Sequence, residues 1–221
     1  MANTGKQRNL TKQRNLTKRI FSYAIGVVIM TFGVAMAIRA NIGVAPGSTM
    51  SYAISRLTPL TVGLCTSLFH FFCILMQVLI TRRMTIKLVC QFPLSYIFGL
   101  LIDLFLSLLN LQLPGYLYHV LLLLAGLFTF SLGIRIIVGA NILLAPPDGL
   151  AQTAGNKLGW PMSKSKLAFD ITITTLTALL TLIAAGDPWL AVGVGTVICA
   201  IGTGPIIGLY TKLFPWLDIP A

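Results

Sequence analysis

The sequence predicts an all-α membrane domain: a six-span transmembrane helix bundle built from two inverted three-helix repeats with broken helices. Three observations lead there. The 221 residues are 56% apolar and only 10% charged, with a mean hydropathy of +0.88. Water-soluble chains carry roughly a quarter charged residues, so most of this chain is built for lipid. Six apolar runs are each long enough for a hydrocarbon core of about 30 Å, which takes roughly 20 helical residues. Finally, segments 33–46 and 133–146 share Gly, Ala-Asn-Ile (Ala40-Asn41-Ile42 and Ala140-Asn141-Ile142) and Ala-Pro (Ala45-Pro46 and Ala145-Pro146).

The predicted spans are 19–38, 61–80, 89–109, 119–138, 166–186 and 189–212. The first is not a signal peptide, because no cleavage site follows it and five more spans do. Residues 1–18 form a basic cytoplasmic tail, and 19–215 a single membrane domain, with repeat one at 19–113 and repeat two at 114–215. The tail repeats Lys-Gln-Arg-Asn-Leu-Thr at Lys6 and Lys12. Too short and polar to form a core, it is expected to be a disordered anchor on anionic lipids, worth about 1 kcal/mol per basic residue near the surface.

Basic residues set the orientation. With the N-terminus in the cytoplasm, thirteen Lys and Arg fall inside, and only Arg39 and Arg56 fall outside. That is positive-inside marking, and it places a multi-pass protein in a bacterial inner membrane with both termini cytoplasmic. Three crossings per repeat then give the two halves opposite senses. The net charge of +11 sits in the tail and at span ends, which argues against a nucleic-acid binder. The four cysteines, at 65, 73, 90 and 199, lie in apolar runs without a CxxC or metal-site spacing, and are expected to pack rather than to ligate or cross-link.

Proline cannot continue a helix, so each Ala-Pro predicts a helix, a break and a short half-helix, one near each membrane face. Ser48 and Asp148 stand at equivalent positions and are expected as N-caps of the half-helices. Asn41 and Asn141 offer side-chain amides beside the breaks. On the fifth span Asp170, Thr174, Thr177 and Thr181 share one helical face; one hundred residues earlier stand His70, Ile74, Gln77 and Thr81. A charge deep in lipid is costly and usually marks a pathway, and histidine changes charge near neutral pH. A facing His70–Asp170 pair is thus suited to binding a cation or relaying a proton. Asp103 and Arg135, the other intramembrane charges, are expected to pair structurally, with Arg135 snorkelling inward. The last span, rich in small residues around Thr196, Gly202 and Gly204-Pro205, suits close packing and a further break.

No HExxH, GxSxG or phosphate-cradling Gly-Lys-Ser/Thr occurs, so neither an enzyme nor a self-powered ATP pump is expected, and no cofactor or metal is called for.

The string Ala145-Pro-Pro-Asp-Gly-Leu150, then Asp170, then Val192-Gly-Val-Gly-Thr196 and Ile201-Gly-Thr-Gly-Pro205 resembles the YczE/YyaS/YitT-type family of small bacterial integral membrane proteins. The first half, from Ala40-Asn-Ile-Gly-Val-Ala-Pro46 to Gln91-Phe-Pro-Leu-Ser, Gly99 and Asp103, is similar as well. The resemblance implies a Pro-x-Asp-Gly-Leu turn, matched at Pro146 to Leu150, and a glutamate in span five, where this chain has the shorter Asp170.

The expected function is a small-solute transporter or permease with Asn41, Ser48, His70, Asn141, Asp148, Asp170, Thr174 and Thr196 near a central cavity. The rivals are a non-transporting accessory protein serving a biosynthetic or secretory system, and the substrate-capture subunit of a multi-component importer. Expected partners are the lipid bilayer, anionic lipids at the tail, a small solute or ion, and a second copy of the chain, since short six-span proteins often pair to complete a pathway.

Overall fold

The computed structural model describes residues 2–109 and 115–217, with side chains from residue 16 onward. Among them lie eight helices and no strand: α1 (Ala2–Ala40), α2 (Pro46–Leu57), α3 (Val62–Thr81), α4 (Ile86–Leu108), α5 (Tyr116–Ala140), α6 (Pro146–Leu158), α7 (Met162–Ala185) and α8 (Val194–Leu213), then a single 3-10 turn at Pro215–Leu217. Six are long and apolar enough to cross a membrane: Leu16–Ala40 of α1, then α3, α4, α5, α7 and α8. They coincide with the six predicted runs. The repeat boundary at 113/114 and the side chains of Lys6, Arg8, Lys12 and Arg14 lie outside the described residues.

The expectation of a disordered tail is corrected, because α1 is helical from Ala2 straight into the span. Lys, Gln, Arg and Leu are good helix formers, and a helix nucleated by the span extends without a new nucleation cost.

Each long first helix stops at the same place. Asn41 and Asn141 adopt left-handed backbone, with φ of 52° and 49°, a conformation asparagine tolerates better than most residues. A short extended segment follows, and α2 and α6 then start at Pro46 and Pro146 themselves. Here the N-cap expectation fails: Ala45 and Ala145 hold the cap positions, and Ser48 and Asp148 sit in the first helical turn. Proline is favoured at the first helical position because its missing N–H would have no partner there anyway.

Irregular backbone inside a bilayer must find hydrogen bonds within the protein. The first break does so through Gly195 N–H donating to Ile42 O at 2.8 Å. The second uses two buried glutamines: Gln91 Nε2 donates to Leu144 O at 3.2 Å, and Gln77 Nε2 to Pro146 O at 3.2 Å.

α1 and α5 form the central seam and run antiparallel, since Gly26 abuts Ile137, Gly33 abuts Phe130 and Ala37 abuts Gly126. Glycines Gly26, Gly33, Gly126 and Gly133 let the two backbones touch; a methyl group at Gly133 would lie 2.6 Å from Met30 Cα. The seam's two ends are closed alike. Arg19 donates to Ala140 O at 2.8 Å and to Asn141 O, while His119 Nδ1 lies 2.9 Å from Ala40 O. Side chains one hundred residues apart thus satisfy the last carbonyls of the opposite helix.

α4 packs on α1 and α3, α8 on α5, α2 on α7, and α6 on α3. The start of α3 is tied to α4 by Asp103, whose carboxylate accepts from Thr61 Oγ1 at 2.6 Å and Gly63 N at 2.7 Å, the structural pairing expected of it. Arg135 does not snorkel. It is 2% exposed, and Nη2 donates to Phe214 O at 3.3 Å, so the guanidinium anchors the turn after α8 instead. Nor does the last span break: Pro205 sits inside a continuous α8. The cysteines are all free, and Cys65, Cys73 and Cys199 are buried as expected. Cys90, however, is exposed, on the outward face of α4's first turns.

Candidate functional site

The first turns of α2 and α6 meet between α3 and α7. Phe69, Cys73 and Ile173 form a buried cluster there, with Met50, Leu150 and Phe169 packed against it. The six fall into three pairs one hundred residues apart: Met50 with Leu150, Phe69 with Phe169, Cys73 with Ile173. Neighbouring contacts repeat the relation. Thr49 of α2 shares a buried hydrogen bond of 3.2 Å with Thr177 of α7. At the equivalent place Gly149 of α6 lies against Gln77 of α3, where a methyl group would sit 2.7 Å from Oε1.

Charge gathers on one side of this cluster. Lys166 Nζ, on α7, contacts Asp148 Oδ1 of α6 at 2.9 Å and Asp170 Oδ1, one turn further along α7, at 2.7 Å. The three side chains are 35%, 24% and 18% exposed respectively. Gly47, the second residue of α2, faces the same ammonium: a methyl group added at Gly47 would lie 3.8 Å from Nζ. Lys166 therefore links the starting turns of both short helices. Asp148 also suits the place electrostatically, because a carboxylate complements the positive end of the α6 dipole.

Two narrow, largely apolar crevices flank the cluster. One is lined by Ala37, Ala45, Ser48, Leu127 and Phe130 among others, and reaches Cys199 of α8. The other is lined by Val27, Met30, Ile137 and Ala145, together with His70 and Ser95. Val27 and Leu127, Met30 and Phe130, Ala37 and Ile137, and Ala45 and Ala145 are again one hundred residues apart. His70 is 5% exposed, stacks on Phe98 with ring centroids 5.2 Å apart, and leaves Nδ1 without a hydrogen-bond partner.

The sequence-predicted residues separate into groups. Asp148 and Asp170 come together through Lys166, with His70 on the adjoining face of α3 and Thr174 half-buried one turn beyond Asp170. Ser48 lines the first crevice. Asn41 and Thr196 lie at one end of the seam. Asn41 Oδ1 accepts from Tyr52 Oη at 3.1 Å, and Thr196 Oγ1 accepts from Gly193 N at 3.3 Å where α8 begins. Asn141 lies at the other end beside Arg19. The two asparagines thus do not share a chamber, because the helices they terminate are antiparallel. Burial pushes the Tyr52 phenol above its ordinary range, while Arg56 and Arg39 pull it down. The group remains a hydrogen-bond donor at neutral pH.

The facing His70–Asp170 pair is not formed; Asp170 has Lys166 as its partner. Sequence reasoning passes over Lys166 because a lysine at the start of a span reads as an end marker. The i, i+4 spacing of Lys166 and Asp170 is the available signal. Gln91 escapes notice for want of any pattern around it. Thr177 and Thr181 return their hydroxyls to Ile173 O and Thr177 O of their own helix, so most of the threonine stripe is satisfied locally. Among the described residues no group of three or more His, Cys, Asp or Glu side chains is placed to hold a metal ion.

Comparison with known proteins agrees with the resemblance seen in the motifs. The chain is similar to the uncharacterized membrane protein YczE of Bacillus subtilis (strain 168), 26% identical over 189 residues, which is 84% of this chain and 81% of that protein. It is likewise similar to the uncharacterized protein YyaS of the same organism, 24% identical over 193 residues, 86% of this chain and 91% of YyaS. No solved structure matches. The family model that matches covers residues 17–212, from the base of α1 to the end of α8, and the chain therefore belongs to the family of unknown function DUF6198.

Proposed function

We propose that this protein is a small-solute transporter or permease built as an inverted repeat, its pathway passing the Asp148–Lys166–Asp170 cluster between the two crevices. The observation that carries the reading is the ion-paired cluster at the meeting point of two short helices. Charged side chains and helix starts at membrane depth are costly, and they are tolerated where they line a solute path. Support for the inversion comes from the antiparallel α1 and α5, and from cluster, crevice and end contacts that recur at an offset of one hundred residues. With both termini in the cytoplasm, the crevice containing Asn41's end of the seam faces outward and the one containing Asn141's end faces inward.

The test begins with a thermal-shift screen of the detergent-purified protein against metabolites and ions, since a ligand bound only by the folded state raises its apparent stability. The ligand so found is then offered to Asp148→Asn and Asp170→Asn. Loss of the shift in both variants is expected. Wild-type shifts in both remove the cluster from the pathway.

A further inference from the structure

Charge does not balance at the cluster. Asp148 and Asp170 contribute two negative charges and Lys166 one positive charge, and no other charged side chain among the described residues pairs with them. One negative charge is left over in an apolar region, where an uncompensated charge is strongly disfavoured. The nearest group able to supply the missing positive charge is His70. Its ring lies in the crevice beside Pro146, the residue that starts α6, and the Asp148 carboxylate is the charged group that acts on it. Nδ1 is buried and has no partner, so a proton acceptor stands ready there without an internal donor.

We propose that His70 carries an exchangeable proton that neutralises the Asp148–Lys166–Asp170 cluster, and that the pathway is proton-coupled. This rests on the transport reading and adds the coupling species. The proton comes from water entering the crevice, forms an N–H bond at Nδ1 and returns to water when that bond breaks; nothing else is exchanged. The surroundings restrict the choice of partner. Toward His70, α1 presents the phenol of Tyr23, α4 presents Leu94, Ser95 and Phe98, and α5 presents Ile137. No charged side chain of α1, α2, α4 or α5 lines the crevice, which leaves Asp148 of α6 as the group that sets the ring's charge. A metal ion in place of the proton finds no suitable set of ligands among the described residues. The proton is also well placed to act mechanically, because α3 grips the start of α6 through Gln77 as well. A positive ring there opposes the α6 dipole while attracting Asp148, so protonation alters the balance holding the α6 turn.

The test reads His70 directly and needs no solute. Full-length protein with isotope-labelled histidine is placed in lipid nanodiscs, and the ring nitrogens are followed by NMR across about pH 4 to 9. The chain has 2 histidines, and His119→Gln assigns the signals. The expected result is a reversible titration of His70 whose midpoint falls by at least about one pH unit, tenfold in proton affinity, in Asp148→Asn. Asp148→Glu restores it. A ring that does not titrate, or a midpoint unmoved by Asp148→Asn, overturns the proposal. Should Asp148→Asn fail to give a monodisperse protein, Asp170→Asn is read in its place with the same expected sign. A metal-induced shift of the ring signals at constant pH also overturns it, in favour of a cation site. Since solute stabilisation is measured separately, a failed titration alongside a solute shift abolished in Asp148→Asn leaves the transport reading standing.

Discussion

The glycine seam between α1 and α5 gives the most quantitative prediction. Gly33→Ala places a methyl group 2.7 Å from Phe130 Cα and 2.8 Å from Gly126 O, while ordinary contact begins at 3.4 Å. The two helices must therefore separate locally by 3.4 − 2.7 = 0.7 Å, and because the obstacles are backbone atoms no rotamer change relieves them. Overpacking of this kind costs about 1–3 kcal/mol. Alanine also raises helix propensity by about 1 kcal/mol over glycine, so the strain must be read against a control. At Gly208 of α8 an added methyl group would meet nothing within 4 Å, and Gly208→Ala receives the same propensity gain without strain. In a chain of this length each kcal/mol moves the melting temperature by about 2–4 °C. Gly33→Ala should therefore melt roughly 2–12 °C below Gly208→Ala. Both are followed by tryptophan fluorescence in one detergent at one heating rate, since melting of membrane proteins is often kinetically governed. Equal melting temperatures, or Gly208→Ala melting lower, would refute the close seam.

Two further outcomes are expected. Gln91→Leu removes the donor to Leu144 O and the acceptor for Gln77 Nε2, the latter at 3.4 Å. Leaving these buried groups unpaired should cost about 1–3 kcal/mol, read as a lowered melting temperature; an unchanged one shows that the second break does not depend on the glutamines. In a Cys90→Ser background, which removes the exposed thiol, an impermeant maleimide added to intact cells should label Asn41→Cys and spare Asn141→Cys until the membrane is opened. Labelling of both from outside would end the inverted arrangement.

The helices are legible in the sequence because lipid leaves little choice: a run of about 20 apolar residues can satisfy its backbone only as a helix. The breaks are legible for the same reason in reverse, as Ala-Pro after Asn forbids continuation. Their details are not. Whether Pro46 precedes α2 or begins it depends on which N–H groups go unpaired, a matter of one or two residues that proline's own preference decides. The central cluster is half legible. Asp148 and Asp170 stand out as charges in apolar sequence, but the cation between them looks like an interfacial lysine. Only the arrival of α6 beside α7 turns Lys166 into a bridge. His70 and Asp170 do occupy equivalent positions, yet equivalence under an approximate twofold does not require contact. Each can face a different neighbour, and here one meets Lys166 while the other lies beside Pro146 and Phe98.

That distinction bears on how such a molecule could alternate. The apolar positions around the centre are matched between the halves, Met50 with Leu150, Phe69 with Phe169 and Cys73 with Ile173, so exchanging the roles of the halves leaves similar packing on either side. Two arrangements with similar packing differ little in free energy, and a bias of a few kcal/mol is enough to reverse their populations. The polar positions, by contrast, are unmatched: Ser48 against Asp148, Thr66 against Lys166, His70 against Asp170. Thr66 merely returns its hydroxyl to Val62 O at 2.8 Å, whereas Lys166 holds two carboxylates. Under the inverted-repeat reading, the shared scaffold keeps the two states close in energy. The unshared charges then give a single proton the leverage to choose between them, since in a low-dielectric site one added charge outweighs any small difference in packing.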